Sequence, residues 1–460
     1  MRRPARDLVV RNASVEGAGP TEVLVRGGVV VGVGEHVAAA SLAGARVVDA
    51  GGAAVLPGLH DHHCHLLAMA AAARSVPCGP PDTNTLEQLA AALRTARPID
   101  GWIRGIGYHE SVAGDLDRDL LDRLRPEVPV RIQHGGGSLW VMNSAALRWI
   151  GLDEVGAGEP RGVERDADGR ATGRLWRSDG WLRGQLGTPR PPDLAGVSAE
   201  LASYGITGVT DATPDLDPDT IALLRSGGIR QRLTLLGDPG SSAPHKVVVS
   251  DHALPSLDEL ADAIQRVRPR AVAVHCVTRV ALVLTAAALG VVGSVRGDRV
   301  EHVAVGPPEV LRLLAALQVT VVTQPSMPVL RGDRYLADVE ADDREHLWPF
   351  ASLLAAGIPV GCSSDAPYGH ANPWFTIRAA ATRTTAAGRG VAVAERVAAA
   401  EALRGFLTPA LSPGGPVRRI EVGAPADLVV LDAPLAEVLR DLDRGHVRMT
   451  LVDGEVVHGG

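Results

Sequence analysis

Residues 56–65 read Leu56-Pro57-Gly58-Leu59-His60-Asp61-His62-His63-Cys64-His65. A Pro-Gly pair interrupts the apolar run before this stretch, and four histidines then fall within six residues. Alternate side chains of a β-strand share a face, so a strand here would point Asp61, His63 and His65 the same way. Two imidazoles at positions i and i+2 can bind one zinc-like divalent cation without bending the backbone. The pattern therefore favours a metal-binding strand over a polar loop.

Downstream of this stretch, strand-like segments alternate with Ala/Leu-rich helical segments. The further strand candidates are Ile206–Asp211, Arg230–Leu236, Lys246–Val249, Ala271–Cys276, Arg299–Val303, Val319–Thr323 and Pro359–Ser364. Together with Leu59–His65 they make eight strands, which predicts a (β/α)₈ TIM barrel with its active site at the carboxyl ends of the strands. The alternative is an open doubly wound sheet, but no Gly-x-Gly-x-x-Gly follows a first strand.

Both ends of the chain carry short β segments, and neither set is large enough to form a core alone. Gly27-Gly28 near the start and Asp453-Gly454 near the end indicate tight hairpins. We therefore predict one composite β-sandwich built from residues 1–55 and 405–460. The barrel is expected to span residues 56–404.

About 140 residues separate His65 from Ile206, far more than a normal connection between two barrel strands. This spacing predicts an inserted α/β subdomain at about residues 75–200. Five of the seven tryptophans lie there: Trp102, Trp140, Trp149, Trp176 and Trp181. We expect most of them to fill the core of the insertion, with Trp140 and Trp176 as candidates for substrate contacts.

Charge and composition restrict the partners of the protein. The net charge is −7, and acidic and basic residues are mixed without a basic block, which argues against nucleic-acid or anionic-membrane binding. The four cysteines form no Cys-x-x-Cys motif or disulfide framework, and the amino terminus does not resemble a signal peptide. We expect a cytoplasmic protein whose partner is a small-molecule substrate, and a homodimer is compatible with its exposed faces.

The use of basic residues is unusual. Of 46 lysines and arginines, 45 are arginine, and the single lysine is Lys246. Arginine stays protonated at any relevant pH, whereas a lysine amine can lose its proton and act as a nucleophile. Lys246 is therefore either an accident or a position where arginine cannot serve.

Three more polar residues lie at predicted strand ends: His275, His302 and Asp365. The intervals from Lys246 to His275 and from His275 to His302 are 29 and 27 residues, each close to one βα unit. Taken singly, such residues are more often buried histidines, turn caps or surface charges. Taken together with His63 and His65, they would converge on one rim, which favours a metal site.

Five motifs carry a family resemblance: residues 57–65, His245-Lys246-Val247-Val248-Val249-Ser250-Asp251, Arg299-Val300-Glu301-His302, Ser363-Ser364-Asp365-Ala366-Pro367 and Gly423-Ala424-Pro425-Ala426-Asp427-Leu428. The sequence resembles the amidohydrolase superfamily, in the family 3 branch that includes N-substituted formamide deformylases. The resemblance implies a binuclear divalent-metal centre with two zinc ions per chain. By that resemblance, His63, His65 and Asp365 hold one ion and His275 and His302 the other.

The resemblance further implies that CO₂ carboxylates Lys246, which then bridges the two ions. Arginine cannot undergo this modification, which would explain the single lysine. His252 is expected to have a structural or supporting role.

The hypothesis for the reaction is that a metal-bound hydroxide attacks an amide, a formamide or a related C–N bond, with Asp365 as general base and then acid. His134 and Asn143 lie in a block that resembles a pocket-facing segment of the family, although a surface loop is an equal alternative. Two other functions remain open. One is lactone or ester hydrolysis on the same metals, and the other is a non-catalytic binding or regulatory role.

Overall fold

A computed structural model describes residues 7–17, 19–34, 44–80, 82–154, 158–186, 192–251, 253–443 and 445–459. The chain divides into two compact units: residues up to Leu66 together with those from Leu194 onward, and the insertion Leu67–Asp193. Within the described ranges, none of the helices combines the length and the apolar character of a membrane-spanning segment.

The strands and helices alternate along most of the chain. The strands are β1 (Leu8–Val15), β2 (Pro20–Arg26), β3 (Val29–Gly34), β4 (Arg46–Asp49), β5 (Ala54–Pro57), β6 (Leu59–Cys64), β7 (Val76–Pro77), β8 (Ile103–Tyr108), β9 (Val130–His134), β10 (Leu139–Met142), β11 (Val163–Arg165), β12 (Ala171–Trp176), β13 (Ile206–Asp211), β14 (Arg232–Leu235), β15 (His245–Val248), β16 (Val272–Cys276), β17 (Arg299–His302), β18 (Thr320–Thr323), β19 (Val360–Cys362), β20 (Leu428–Leu431), β21 (Val447–Val452) and β22 (Glu455–Gly459).

The α-helices are α1 (Leu66–Ala72), α2 (Leu86–Thr95), α3 (Glu110–Ala113), α4 (Arg118–Leu124), α5 (Ser144–Trp149), α6 (Asp179–Gln185), α7 (Leu194–Ser203), α8 (Pro218–Ser226), α9 (Leu257–Val267), α10 (Arg279–Val292), α11 (Pro308–Ala316), α12 (Met327–Asp338), α13 (Ala341–Arg344), α14 (Phe350–Ala355), α15 (Pro373–Thr382), α16 (Ala399–Phe406) and α17 (Leu435–Val438). A short 3₁₀ helix covers Val393–Glu395.

Strands from both ends of the chain form one mixed sheet in the order β22-β21-β20-β5-β1-β2-β3, with β4 paired to β1. Strand β5 joins the two terminal sets because it pairs with β1 on one side and with β20 on the other. Buried side chains from both sets, such as Val30 and Met449, belong to one hydrophobic cluster. The strands predicted from the two ends of the chain are therefore hydrogen-bonded into a single composite sheet.

The parallel strands predicted for the barrel are all present, but as two sheets. One has the order β14-β13-β6 and the other runs from β15 to β19 in sequence order. Backbone hydrogen bonds connect their edges. Lys246 N–H donates to Leu236 O over 3.3 Å at one junction, and at the other His65 N–H donates to Ala366 O over 2.9 Å and Asp365 N–H donates to His63 O over 2.8 Å. Next to the latter, the Ser364 N–H donates to the Asp61 carboxylate over 3.0 Å. Where β6 meets the end of β19, the Asp61 side chain thus accepts a hydrogen bond that a backbone carbonyl would accept in a regular sheet.

The insertion contains its own mixed sheet, in the order β11-β12-β10-β9-β8-β7, and one buried cluster contains Trp102, Trp140 and the half-buried Trp181. Trp149 and Trp176 are 59% and 42% exposed. Three of the five tryptophans therefore pack in the core of the insertion, as expected for most of them.

Candidate metal centre

The clearest group of potential metal ligands combines His63 and His65 with Asp365. Their donor atoms lie within 4.8 Å of one another. Asp365 Oδ1 is 3.3 Å from His65 Nε2 and 3.6 Å from His63 Nε2. Ligands bound tetrahedrally at about 2.1 Å from zinc would lie about 3.4 Å apart, so these separations suit a shared cation.

Glu301 orients the imidazole ring of His63 by a contact at Nδ1. The two side chains are hydrogen-bonded through His63 Nδ1, and the Arg299 guanidinium donates to the same carboxylate. Burial would raise the pKa of Glu301, but the positive charge of Arg299 and the contact with His63 hold it well below its usual range. An anionic Glu301 keeps the proton of His63 on Nδ1, so that Nε2 presents a lone pair toward Asp365.

A second pair of imidazoles adjoins the first. The ring centroids of His275 and His302 are 4.4 Å apart, and that of His302 is 4.8 Å from His63. Gln324 Oε1 lies 2.9 Å from His302 Nδ1. His302 Nε2 is buried and has no hydrogen-bond partner among the described residues. A buried imidazole nitrogen without a partner is costly unless it binds a group such as a cation.

Lys246 lies closer to the amino-terminal end of its strand than the histidines do in theirs. In the register of β15 and β16 it lies opposite Ala273, two residues before the level of His275. The side chain is long enough to cover that offset. It is 5% exposed, and its Nζ has no hydrogen-bond partner among the described residues. Burial lowers the pKa of Lys246 to about 8, which increases the neutral amine that reacts with CO₂.

Burial also keeps the histidines neutral. It lowers the pKa of His63 and His302 well below the usual value, and that of His275 to about 4. Neutral imidazole is the form that binds metals. Within the described ranges, the Lys246 amine and one imidazole nitrogen of His302 lack hydrogen-bond partners. Together with the closely spaced carboxylate and imidazole donors, they fit a divalent-metal centre.

Two residues of the centre have unusual backbone conformations. His302 and Asp365 have φ angles of 71° and 54°, in the left-handed region that non-glycine residues rarely adopt. Such strain persists where the surrounding structure enforces it, and it is concentrated at functional sites.

Asp61, which shares the face of His63, does not join the ligand group. Its carboxylate accepts hydrogen bonds from Ser364 N–H and Oγ–H and from the His63 N–H. These bonds connect β6 to the segment that carries Asp365. Asp61 therefore positions two ligand-bearing segments.

Two of the residues predicted to contact substrate serve structural roles inside the insertion. Asn143 caps α5: its Oδ1 accepts hydrogen bonds from Val130 and Ala146 N–H, and its amide donates to two backbone carbonyls. Trp140 is buried in the core of the insertion and donates to Asp179 over 2.8 Å. These contacts account for the polar atoms of both side chains.

The other two predicted substrate residues are more accessible. Glu110 lies 3.2 Å from His134 Nε2, and the Gly136 N–H donates to His134 Nδ1. Trp176 is partly exposed, and its indole N–H donates to Glu164 over 3.2 Å. Their role toward a substrate stays a prediction. His252 lies outside the described residues.

Glu301 and Arg299 were not predicted as functional residues from the sequence. Their signal is two opposite charges at positions i and i+2 of one strand, which places both side chains on the same face, and the structure shows that the strand is buried.

Replacing Glu301 with glutamine is expected to weaken metal binding about 10- to 100-fold, because His63 loses the anion that orients it. The same change leaves Arg299 buried without its charge partner, so the free energy of unfolding should fall by about 3–5 kcal/mol. Competition with a chromophoric chelator and urea denaturation measure the two effects. An unchanged metal affinity would show that Glu301 does not orient a ligand.

Comparisons with known proteins identify the family of this chain. A family model described as the amidohydrolase family matches residues 46–458. The N-substituted formamide deformylase of Arthrobacter pascens is 28% identical over 534 aligned positions, which cover 98% of each chain.

Two solved structures are similar in fold. One is an uncharacterized metal-dependent hydrolase from Pyrococcus horikoshii OT3, with a TM-score of 0.72 and 18% identity, covering 93% of this chain and 97% of that one. Another, also an uncharacterized metal-dependent hydrolase, is from Pyrococcus furiosus, with a TM-score of 0.69, 18% identity and coverage of 93% and 99%. At this identity the likeness concerns the fold alone.

Proposed function

This chain belongs to the amidohydrolase family and is a metal-dependent hydrolase of carbon–nitrogen bonds, and we propose that it cleaves an N-substituted formamide or a related amide. The observation that carries this proposal is the convergence of His63, His65 and Asp365 beside the buried Lys246. The name of the Arthrobacter relative supports formamides as the first substrate class to test.

We propose that two zinc ions bind at this centre. His63, His65 and Asp365 would hold one ion, and His275 and His302 the other, with a carboxylated Lys246 between them. Among the residues that the structure describes, Lys246 Nζ and His302 Nε2 have no hydrogen-bond partner, which supports this assignment. Bound divalent cations would lower the pKa of a water molecule and polarise the substrate carbonyl.

Asp365 is the proposed general base and acid. Burial would raise its pKa, but the hydrogen bond with His65 keeps it below the usual range. The carboxylate is therefore available to accept the proton of the attacking water. It would then donate that proton to the nitrogen of the departing amine.

We further propose that the two parallel sheets are arcs of one (β/α)₈ barrel. The strand order fits an eight-stranded ring, in which β14 neighbours β15 and β19 neighbours β6. The backbone hydrogen bonds between Lys246 and Leu236, and between Asp365 and His63, support these two junctions. In such a barrel, ligands at the carboxyl ends of the strands share one rim.

Removal of metal is expected to abolish turnover of N-substituted formamides, and addition of zinc should restore it. Elemental analysis should give two zinc ions per chain after reconstitution. The substrate panel should include N-acyl amines and lactones, with magnesium addition as the control. Full activity in the metal-stripped protein, or turnover of lactones alone, would contradict the proposed function.

A further inference from the structure

A cavity of about 530 Å³ lies at the amino-terminal ends of strands β15–β18. Pro244 and Ala271, which directly precede β15 and β16, line it, as does Thr320, the first residue of β18. His275 and His302 lie near the carboxyl ends of β16 and β17. The cavity is therefore at the opposite end of these strands from the candidate metal centre.

The lining of this cavity is positively charged and rich in hydrogen-bonding groups. Among the described residues, its lining includes two arginines, Arg296 and Arg299, and no acidic residue. Its hydroxyl-bearing residues are Ser242, Ser294, Thr320 and Ser412. Arginine and hydroxyl groups are the usual protein partners of carboxylate and phosphate oxygens.

Arg296 is exposed, and none of the ion pairs found within the described residues includes it. The nearby acid, Asp298, is buried and already paired with Arg268. Its carboxylate also accepts hydrogen bonds from the N–H groups of Val272 and Val295. The charge of Arg296 is thus not neutralised by the acid closest to it in sequence.

We propose that this cavity is a second ligand site, which binds a small organic anion with a carboxylate or phosphate head group. Its volume is within the range of about 300–1,000 Å³ found for small-molecule sites. Arg296 would pair with the anion, and the surrounding hydroxyls would complete its hydrogen bonds.

The same cavity is connected to the metal centre through Arg299. This residue lines the cavity, yet it is only 2% exposed and donates hydrogen bonds to Glu301 and to His62 O. Glu301 in turn fixes His63. An anion in the cavity attracts Arg299 away from Glu301, which weakens the hold on a metal ligand. This connection rests on the proposed metal centre, whereas anion binding itself does not.

Anion binding is tested by isothermal titration of the metal-loaded protein with sodium phosphate and with sodium malonate at fixed ionic strength. We expect one site per chain whose affinity falls about tenfold or more in Arg296→Gln, because a charge-assisted hydrogen bond is lost. Arg296→Lys should retain most of the affinity. The matched control is Arg312→Gln, since Arg312 is an exposed arginine on α11 outside the cavity lining.

Which of the two anions binds more tightly identifies the head group. Binding that is unaffected by Arg296→Gln belongs to the metal centre. If such binding accounts for the entire heat of the titration, the proposal is overturned. Equal weakening by Arg296→Gln and Arg312→Gln would also overturn it, because that pattern reflects general surface charge.

The connection is tested by zinc affinity, measured by competition with a chromophoric chelator with and without saturating sulfate. Sulfate should weaken zinc binding several-fold in the wild-type protein and less in Arg296→Gln. The variant is the control for direct chelation of zinc by sulfate, which is the same with both proteins. An equal sulfate effect in both proteins would contradict the connection. If zinc does not bind at all, the proposed metal centre fails instead, while the titrations still decide anion binding.

Discussion

Replacing Lys246 with alanine should lower the rate of amide hydrolysis by about a thousandfold, equivalent to about 4 kcal/mol of transition-state stabilisation. The reason is that the only side chain able to become a bridging carbamate is removed. The buried Nζ has no hydrogen-bond partner within the described part of the chain that would give it another role. Short carboxylates such as formate or acetate should restore part of the activity by occupying the vacated position. Steady-state kinetics with and without these anions measure both effects.

Lys246→Arg is the informative control, because arginine retains the positive charge but cannot react with CO₂. It should be as inactive as the alanine variant. Recovery of activity in metal-stripped protein supplied with zinc and bicarbonate should become faster as pH rises through about 8, since the neutral amine is the reacting form. Substantial activity in Lys246→Arg would show that the side chain acts only as a cation.

Asp365→Asn should reduce kcat by about 10²- to 10⁴-fold, the usual contribution of a general acid–base group. It also removes the negative charge of the carboxylate whose Oδ1 lies near both His63 and His65, so metal content should fall. Asp298→Asn is the control, because that buried carboxylate directly precedes β17, at the opposite end of this strand from His302. It should lower stability and leave kcat of the folded protein nearly unchanged.

The pH dependence provides a second measurement for Asp365. Its pKa is held below the usual range, so the catalytic carboxylate is present at neutral pH and is lost only as pH falls through that lowered pKa. The acidic limb of the kcat–pH profile should therefore lie below the usual carboxyl range and should be absent in Asp365→Asn. A profile with the same acidic limb in both proteins would assign the limb to another group.

Much of the candidate site follows from the sequence, because parallel strands end on a common edge. On this basis His63 and Asp365 are predicted to lie together, and the structure brings their donor atoms to within 3.6 Å. Glu301 and Arg299 are not predicted, because the sequence shows two charges without showing that they bond to each other. The contact of Glu301 with His63 links residues 238 positions apart, which no local pattern contains.

The fold was less predictable where strands meet over long distances. The short strand β19 and the hydrogen bonds from Ser364 to Asp61 decide how the two parallel sheets adjoin, and these residues are 303 positions apart. Alternating apolar residues predict strands but not their partners. For the same reason, the sequence indicated β segments at both ends of the chain without showing that β5 would join them into one sheet.

The most direct test is a crystal structure of the zinc-loaded protein with anomalous diffraction recorded at the zinc absorption edge. The account predicts two peaks. One should lie about 2.1 Å from donor atoms of His63, His65 and Asp365, and the other at the same distance from His275 and His302, with a carboxylated Lys246 between them. An active, folded protein with no zinc peak beside these residues, or with an unmodified Lys246 remote from both ions, would contradict it.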